Sequence, residues 1–382
     1  MVAAIIGGGL VLLAGAGSLY MLASAVLLRR FFADARAMPP SAAAVTLLKP
    51  LHGAEPRLAE NLASFLDQRH DGPIQVVCGV QRADDPAIAT VEALVGRGTA
   101  RVDLVLDPTR HGANGKIANL INMSPHAAHD VLILSDSDIA VNVDYLASVL
   151  AALGATGVGA VTCLYRGRGD AGFWSRVAAA GLDWQFLPGA VVGLATGAAR
   201  PCMGSTIALS RATLERIGGF AAFADVLADD HAIGAAVRGQ GLAVAVPPML
   251  VVHGCDERSL AALWRHEVRW ARTVRAVTPG AAFAASVVTY PLPVALLGLP
   301  FAPLPALTAA GIALGARLVV ALTVARIAGN RPTALLLLPL RDCLSLAVFV
   351  ASFVTRSVDW RGARLTIGGD GRMTVPTETR SR

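Results

Sequence analysis

An α/β fold, with a mostly parallel, Rossmann-like sheet in the middle of the chain and apolar membrane helices at both ends, is what this sequence predicts. Three observations carry the prediction. Apolar residues make up 54% of the 382 positions before glycine is counted, whereas an average soluble protein reaches about 45–50% with glycine included. The excess sits at the ends: residues 1–28 and 276–316 contain no charged side chain. Between them, short β-branched runs alternate with stretches of helical period, the signature of a parallel sheet covered by helices on both faces.

The first 28 residues are long enough to cross a bilayer, which takes about 20 mostly apolar residues. A cleaved signal peptide would open with a basic region. None precedes this run and Arg29-Arg30 follow it directly, so residues 1–28 are expected to be a retained anchor. A buried strand at 45–48 (VTLL) then exits into Lys-Pro-Leu-His-Gly, and a helix over 55–68 puts Leu58, Leu62, Phe65 and Leu66 on one face. Strands follow at 74–80 (IQVVCGV), 102–106 and 131–134 (VLIL), with helices over 87–96, 116–123 and 145–153. Residues 41–275 are expected to form one α/β domain.

The second apolar block continues past Arg317 to 325, and a third covers 332–355, broken only by Arg341-Asp342. Together they predict a membrane region over 276–355 with two to three spans, followed by a tail over 356–382. Prolines at 291, 293 and 300 suggest that part of 276–302 lies in the interface or re-enters. Arg29, Arg30 and Arg36 place the α/β domain on the cytoplasmic side. The basic tail residues Arg356, Arg361 and Arg364 are inside with two C-terminal spans and outside with three. The net charge of +6 flanks the apolar runs, as attraction to anionic membrane lipids favours. No basic stripe interleaved with aromatics points to nucleic acid. The five cysteines (78, 163, 202, 255, 343) are scattered without zinc spacing, which argues for a reducing compartment and no disulfide framework.

In open parallel sheets ligands bind beyond the carboxyl ends of the strands, and acidic residues gather after those ends here. Asp136-Ser137-Asp138 follows VLIL directly. Two carboxylates two apart can aim oxygens at one hard cation, and Mg²⁺ is typically held by one or two carboxylates plus substrate phosphates; on spacing alone the pattern is common in loops. Asp84-Asp85-Pro86 follows the second strand. It reads as a helix cap or as acceptors for a nucleotide base or ribose, and the two are compatible. Asp229-Asp230 precedes a helical run at 231–237, again a cap or else a general base for a hydroxyl nucleophile. Arg265-His266-Glu267-Val268-Arg269-Trp270 offers Arg269 to a diphosphate and Trp270 to a sugar face. The plainer reading is a basic interfacial helix with an aromatic anchor. Gly204-Ser205, with Arg211 and Gly218-Gly219-Phe220, permits close backbone approach to a ligand. No P-loop, dinucleotide glycine fingerprint or Ser-His-Asp ordering is present.

Taken in order, these pieces reproduce the D, D, D, (Q/R)xxRW pattern of the processive and lipid-directed branch of family 2-like glycosyltransferases. The flanking text, VQRADDPAI, NGKIANLINM, LILSDSDI, LADDHAIG and RHEVRWAR, resembles ceramide glucosyltransferases. Within that group it looks closest to the bacterial hopanoid-biosynthesis-associated glycosyltransferases, over roughly residues 40–280 and the terminal spans. The resemblance implies a GT-A fold at the bacterial inner membrane with a cytoplasmic catalytic domain, a UDP-sugar donor, a lipid acceptor and inversion at the anomeric carbon. It implies that Asp84 or Asp85 contacts the uridine, and that Asp136 and Asp138 meet the diphosphate through Mg²⁺ or Mn²⁺. Asp230 would be the base with Asp229 beside it, and Arg269 and Trp270 would hold the diphosphate and the acceptor side. Lys116 and Asn119 match a lysine-asparagine stretch near the donor.

One departure stands out. The Q/R position is His266, with Arg265 one step earlier, so either Arg265 substitutes or His266 donates. A hydrophobic acceptor would meet the site near Trp264 and Trp270. A hopanoid acceptor goes with UDP-N-acetylglucosamine, a ceramide with UDP-glucose. Arg341-Asp342 is open to three readings: a mutual pair, a contact to the acceptor head, or a helix end before a span starting at Cys343. Two rivals remain: a polysaccharide synthase, which would need more spans, and a non-catalytic lipid-binding scaffold, against which the intact acidic sites argue.

Overall fold

The structure is a computed structural model that describes residues 1–33, 38, 41–329 and 334–354, with the backbone of 358–360, 363–367 and 373–374. Arg36, Arg356, Arg361 and the side chain of Arg364 lie outside the described residues. The chain divides into two compact units. One comprises Met1–Asp34, Arg166–Ala199 and Cys255–Thr355; the other comprises Ala35–Tyr165, Arg200–Gly254 and Arg356–Arg382. The chain opens on α1 (Val2–Ala33), which belongs to the first.

The second unit is built on the expected sheet. Strands β1 (Val45–Pro50), β2 (Ile74–Val80), β3 (Arg101–Leu106) and β4 (Val131–Leu134) are followed by β5 (Ile139–Ala140), β6 (Val158–Val161), β7 (Leu164–Gly169), β8 (Ile207–Ser210), β9 (Ala243–Ala245) and β10 (Leu250–Cys255). Seven of them form one sheet in the order β3-β2-β1-β4-β8-β6-β9. β1 lies parallel to β2 and β4, β2 to β3, and β6 to β9, while β8 runs antiparallel to both neighbours. The mostly parallel α/β reading holds. Strand β8 was not foreseen, because the small Ala and polar Ser of IALS leave no continuous apolar run such as VLIL presents.

Helices α2 (Leu58–Leu66), α3 (Ala87–Glu92), α4 (Gly115–Met123), α5 (Tyr145–Leu153), α8 (Arg211–Arg216) and α9 (Asp229–Gly239) cover the sheet. Val45, Leu47, Leu48, Leu132 and Ile133 are fully buried, as parallel strands covered on both faces require. α2 starts later than its apolar pattern suggests because Arg57 takes a left-handed turn, φ 58°, which breaks the helix at its first residues. α4 starts where Asn114 accepts from the backbone N–H groups of Lys116 (3.0 Å) and Ile117 (3.1 Å), an N-cap that satisfies two orphan donors.

The first unit is apolar and helical. Besides α1 it holds α6 (Phe173–Gly181), a π-helical turn at Leu182–Phe186, α7 (Leu187–Thr196), α10 (Leu260–Val277), α11 (Gly280–Ala285), α12 (Pro291–Leu297), α13 (Pro303–Ile327) and α14 (Leu338–Val354). Among the described residues, four helical stretches are long and apolar enough to cross a membrane: Val2–Ala33, Phe173–Thr196, Pro303–Ile327 and Leu335–Val354. Gly280–Thr289 and Pro291–Leu297 form a pair bent by 82°, a broken span or re-entrant loop. Phe173–Thr196 falls inside the stretch that the sequence reads as one α/β domain; Arg176, Asp183, Trp184 and Gln185 interrupt its apolar run. α1 approaches the bent pair closely at Gly17, where a Cβ would lie 2.3 Å from the Val288 carbonyl oxygen. Small residues at such crossings are how membrane helices pack.

Arg341 and Asp342 both lie inside α14, which begins at Leu338, and they do not pair with each other. Asp342 receives Arg317 of α13 bidentately (Nε–Oδ2 2.8 Å, Nη2–Oδ1 2.5 Å). Arg317 also donates to the Trp184 carbonyl in the π-helical turn at 2.6 Å. Arg341 reaches Glu267 of α10 with both terminal nitrogens, at 2.5 and 2.7 Å. The sequence reading that starts the span at Cys343 is therefore replaced by two buried ion pairs within the helix bundle.

Candidate active site

The site is assembled in the sheet unit, on loops that follow β1, β2 and β4 and on the first turns of α4 and α9. The cap at Asn114 orients α4 so that Lys116 projects from its first turn. Its ammonium lies 2.6 Å from Asp136 Oδ1 and 3.5 Å from Asp229 Oδ2. Burial alone would lower the Lys116 pKa, but Asp136, Asp229 and Asp230 outweigh it and hold the group protonated. The Asn114 amide also donates to Asp229 Oδ1 at 3.3 Å, while buried Oδ2 has the ion contact to Lys116 and no hydrogen bond among the described residues.

Gly204 joins the two acidic pairs. Its carbonyl accepts from the Asp136 N–H (3.1 Å) and its N–H donates to Asp230 Oδ2 (3.1 Å). A Cβ here would stand 2.5 Å from Asp136 Oδ2 and 2.8 Å from Lys116 Nζ. We expect Gly204→Ala to destabilise the domain by about 1–3 kcal/mol through overpacking, read as a lower Tm in detergent. An unchanged Tm would mean that the lysine and carboxylate swing aside freely. Burial, reinforced by the charge of Asp229 and opposed by Lys116, pushes the Asp230 carboxyl up to about 6.

Behind the Asp136 loop lies Lys49, fully buried at the end of β1. It donates to the Asp136 carbonyl (2.5 Å) and Ser135 Oγ (3.2 Å), and its ammonium sits 4.0 Å from the centre of the Phe65 ring. Burial lowers its pKa to about 8 against the pull of Asp136 and Asp138. Glu55 accepts from Ser137 Oγ at 2.7 Å, and burial together with the Asp138 charge raises it to about 7. Asp138 Oδ2 faces His253 Nε2 of β10 at 3.4 Å. Lys49, Glu55 and His253 were not singled out from sequence. A lysine or histidine in an apolar strand and a glutamate in a loop give no spacing signal.

The structure thus brings Lys116, Asp136, Gly204, Asp229 and Asp230 into one cluster, with Asp138 beside it on the same loop. Asp85 and Asp84 part company. Asp85 is buried and accepts from the N–H groups of Gly53 (3.0 Å) and Ala87 (2.9 Å), the second at the start of α3. Asp84 is exposed and paired with Arg82. Asn119, one turn along α4 from Lys116, is buried and donates to the Gly79 carbonyl of β2 at 2.8 Å. Arg265, His266, Arg269 and Trp270 lie on α10 in the other unit. There His266 Nδ1 hydrogen-bonds to buried Glu257, and its ring meets Trp270 edge-on with centroids 4.6 Å apart. Among the described residues no group of three or more His, Cys, Asp and Glu side chains is arranged to hold a metal by itself. A cation at Asp136 and Asp138 would therefore complete its shell with ligand oxygens and water, the habit of Mg²⁺.

Carboxylates beyond strand ends serve many chemistries, and comparison decides among them. The family model described as glycosyl transferase family 21 matches residues 9–373. The chain belongs to glycosyl transferase family 21. A relative, the ceramide glucosyltransferase of Komagataella phaffii, is 30% identical to this family 21 chain over 108 residues, 27% of the chain and 21% of that protein. The chain thus spans about a fifth of the length of that relative. The mannosyltransferase PcManGT from Pyrobaculum calidifontis, solved with GDP-Man and Mn²⁺, superposes with a TM-score of 0.50 at 22% identity, covering 92% of this chain and 99% of that one. At that identity the likeness speaks for the fold alone, a GT-A-like α/β arrangement.

Proposed function

We propose that this glycosyltransferase moves a sugar from a UDP-sugar, UDP-N-acetylglucosamine, to a hydroxyl of a polyhydroxylated membrane lipid such as bacteriohopanetetrol, with inversion. The observation that carries this reading is the bridge Lys116–Asp136–Gly204–Asp230, which sets a high-pKa carboxylate beside a cationic, acid-lined cradle. Asp230 accepts the proton of the acceptor hydroxyl as its oxygen attacks the anomeric carbon. The new C–O bond forms opposite the breaking sugar–phosphate bond, and the electron pair leaves with UDP. Asp229, held by Asn114 and Lys116, keeps the base in place. Lys116 faces the departing diphosphate, where preorganised positive charge contributes most to lowering the barrier. Asp85 contacts the uridine side, and the family motif assigns Arg269, Trp270 and the Arg265/His266 position to the diphosphate and acceptor.

Asp136 and Asp138 suit Mg²⁺ or Mn²⁺, carboxylate oxygen being the ligand such ions prefer. When bound, the ion neutralises charge on the leaving diphosphate. Burial first, and the Asp138 charge after it, raise the nearby Glu55, so acidic groups crowd this loop as a cation site requires. Arg29-Arg30 favour a cytoplasmic sheet unit at a bacterial cell membrane.

A second reading, glucosylation of ceramide from UDP-glucose, is favoured by the 108-residue match to a ceramide glucosyltransferase. The two separate in a screen on detergent-purified protein with Mg²⁺ or Mn²⁺, pairing labelled UDP-N-acetylglucosamine and UDP-glucose with bacteriohopanetetrol and ceramide. Label from UDP-N-acetylglucosamine on the hopanoid is the expected result. Transfer from UDP-glucose to ceramide would replace the substrates and keep the chemistry. No transfer and no UDP release from any pair would count against both.

A further inference from the structure

The apolar unit contains a group of polar side chains that the chemistry above does not use. Gln185 sits in the π-helical turn of Leu182–Phe186, a distortion frequent at functional sites. Its Nε2 donates to Thr289 Oγ1 at 2.7 Å. Its Oε1 is buried with no hydrogen-bond partner among the described residues. Thr289 and Tyr290 lie at the 82° break between Gly280–Thr289 and Pro291–Leu297. Irregular backbone at membrane depth persists where it is buried in protein or lines a cavity. Tyr290 follows Thr289 directly, and its side chain feels the charges of both Arg341 and Glu267. Gln185, Thr289, Tyr290 and Glu267 are all half-buried, so the group keeps an open side.

The acidic side chains here are matched, while Arg275 lies over the Phe353 ring at 4.9 Å and donates to the Ser352 carbonyl. Both Glu267 oxygens accept from Arg341, whose Nε goes to Ser345 Oγ at 3.1 Å. Asp342 is matched by Arg317 in the same way. What remains is a lone carbonyl acceptor on Gln185 and a phenol on Tyr290. Alongside stands an aromatic wall: the Tyr290 ring is 5.5 Å from Phe349, and Phe349 is 5.2 Å from both Phe283 and Phe353.

We propose that this group is the head-group site for the lipid acceptor. Gln185 and Tyr290 hydrogen-bond a neutral, hydroxyl- or amide-bearing head, and the aromatic wall receives the adjoining apolar body. An unpartnered carbonyl oxygen calls for a donor, which a hydroxyl or amide head supplies and an ionised phosphate does not. The inference rests on the lipid-acceptor reading above and names the side chains that hold the head.

The test is equilibrium binding to the full-length protein in detergent without donor. Probes are tritiated bacteriohopanetetrol, tritiated ceramide and a polyprenyl phosphate, with UDP binding measured in parallel. At least one neutral lipid should bind more tightly than the phosphate lipid. Gln185→Leu and Tyr290→Phe should each raise its Kd about two- to tenfold, the loss of one uncharged hydrogen bond, with the Kd for UDP unchanged. Tyr290→Phe removes a single oxygen and guards against a folding artefact in the glutamine variant. Unchanged lipid Kd in both variants, tighter binding of the phosphate lipid, or no lipid binding would overturn the proposal. Lipid binding that responds to the variants without sugar transfer would keep this site and refute the transfer reading instead.

Discussion

Asp230→Asn is expected to lower kcat by about 10²–10⁴-fold, the usual contribution of a general base, while UDP binding stays mostly intact. The amide keeps the shape of the carboxylate, and its oxygen can still accept from the Gly204 N–H, now 3.1 Å from Oδ2. What it loses is the ability to take a proton. The wild-type pH profile should show the same group. Burial and Asp229 raise the Asp230 carboxyl to about 6, so it is largely protonated, and idle as a base, at pH 5. Activity should therefore rise through about pH 6 and level off above pH 7. Full activity in the variant, or a rate that is flat from pH 5 to 8, would remove Asp230 from that role.

The second large effect lies in the membrane unit. Arg317→Met should destabilise the protein by about 3–5 kcal/mol, the cost of leaving a buried charge without its partner. Arg317 has no exposed surface and Asp342 is 2% exposed, so neither can turn to water. The arginine also binds the Trp184 carbonyl, tying the π-helical turn to α13 and α14. Replacing both charges, Arg317→Met with Asp342→Leu, should recover much of the loss, since an apolar pair of similar volume is often as stable as a buried ion pair. Thermal unfolding in one detergent compares the three proteins. A single variant as stable as wild type would show that the pair carries no structural weight.

Much of this architecture is legible in the chain. The strand at 131–134 and the helix at 145–153 stand where their patterns put them, the first a continuous apolar run and the second a stretch of helical period. The acidic residues are visible for the same reason: they follow such strands. Other partners are not visible. Lys116 meets Asp229 over 113 positions, and His253 meets Asp138 over 115, distances at which sequence spacing carries no information. Arg341-Asp342 shows the opposite failure. Adjacency in sequence suggests a pair, yet neighbouring residues on a helix project about 100° apart, and each finds its counterpart on another helix. Asp84 and Asp85 look equivalent in the text, and only burial tells them apart.

Lys49 has a consequence for the order of events at the site. Its ammonium grips the Asp136 carbonyl from inside the sheet unit, so the loop that bears Asp136 and Asp138 is ordered when the chain folds, not when a ligand arrives. The conformational entropy of that loop, about 1–2 kcal/mol per residue, is then lost once, during folding. Donor arrival becomes a docking onto fixed groups, and the free energy of each contact with the incoming diphosphate goes into holding it rather than into shaping its receptor.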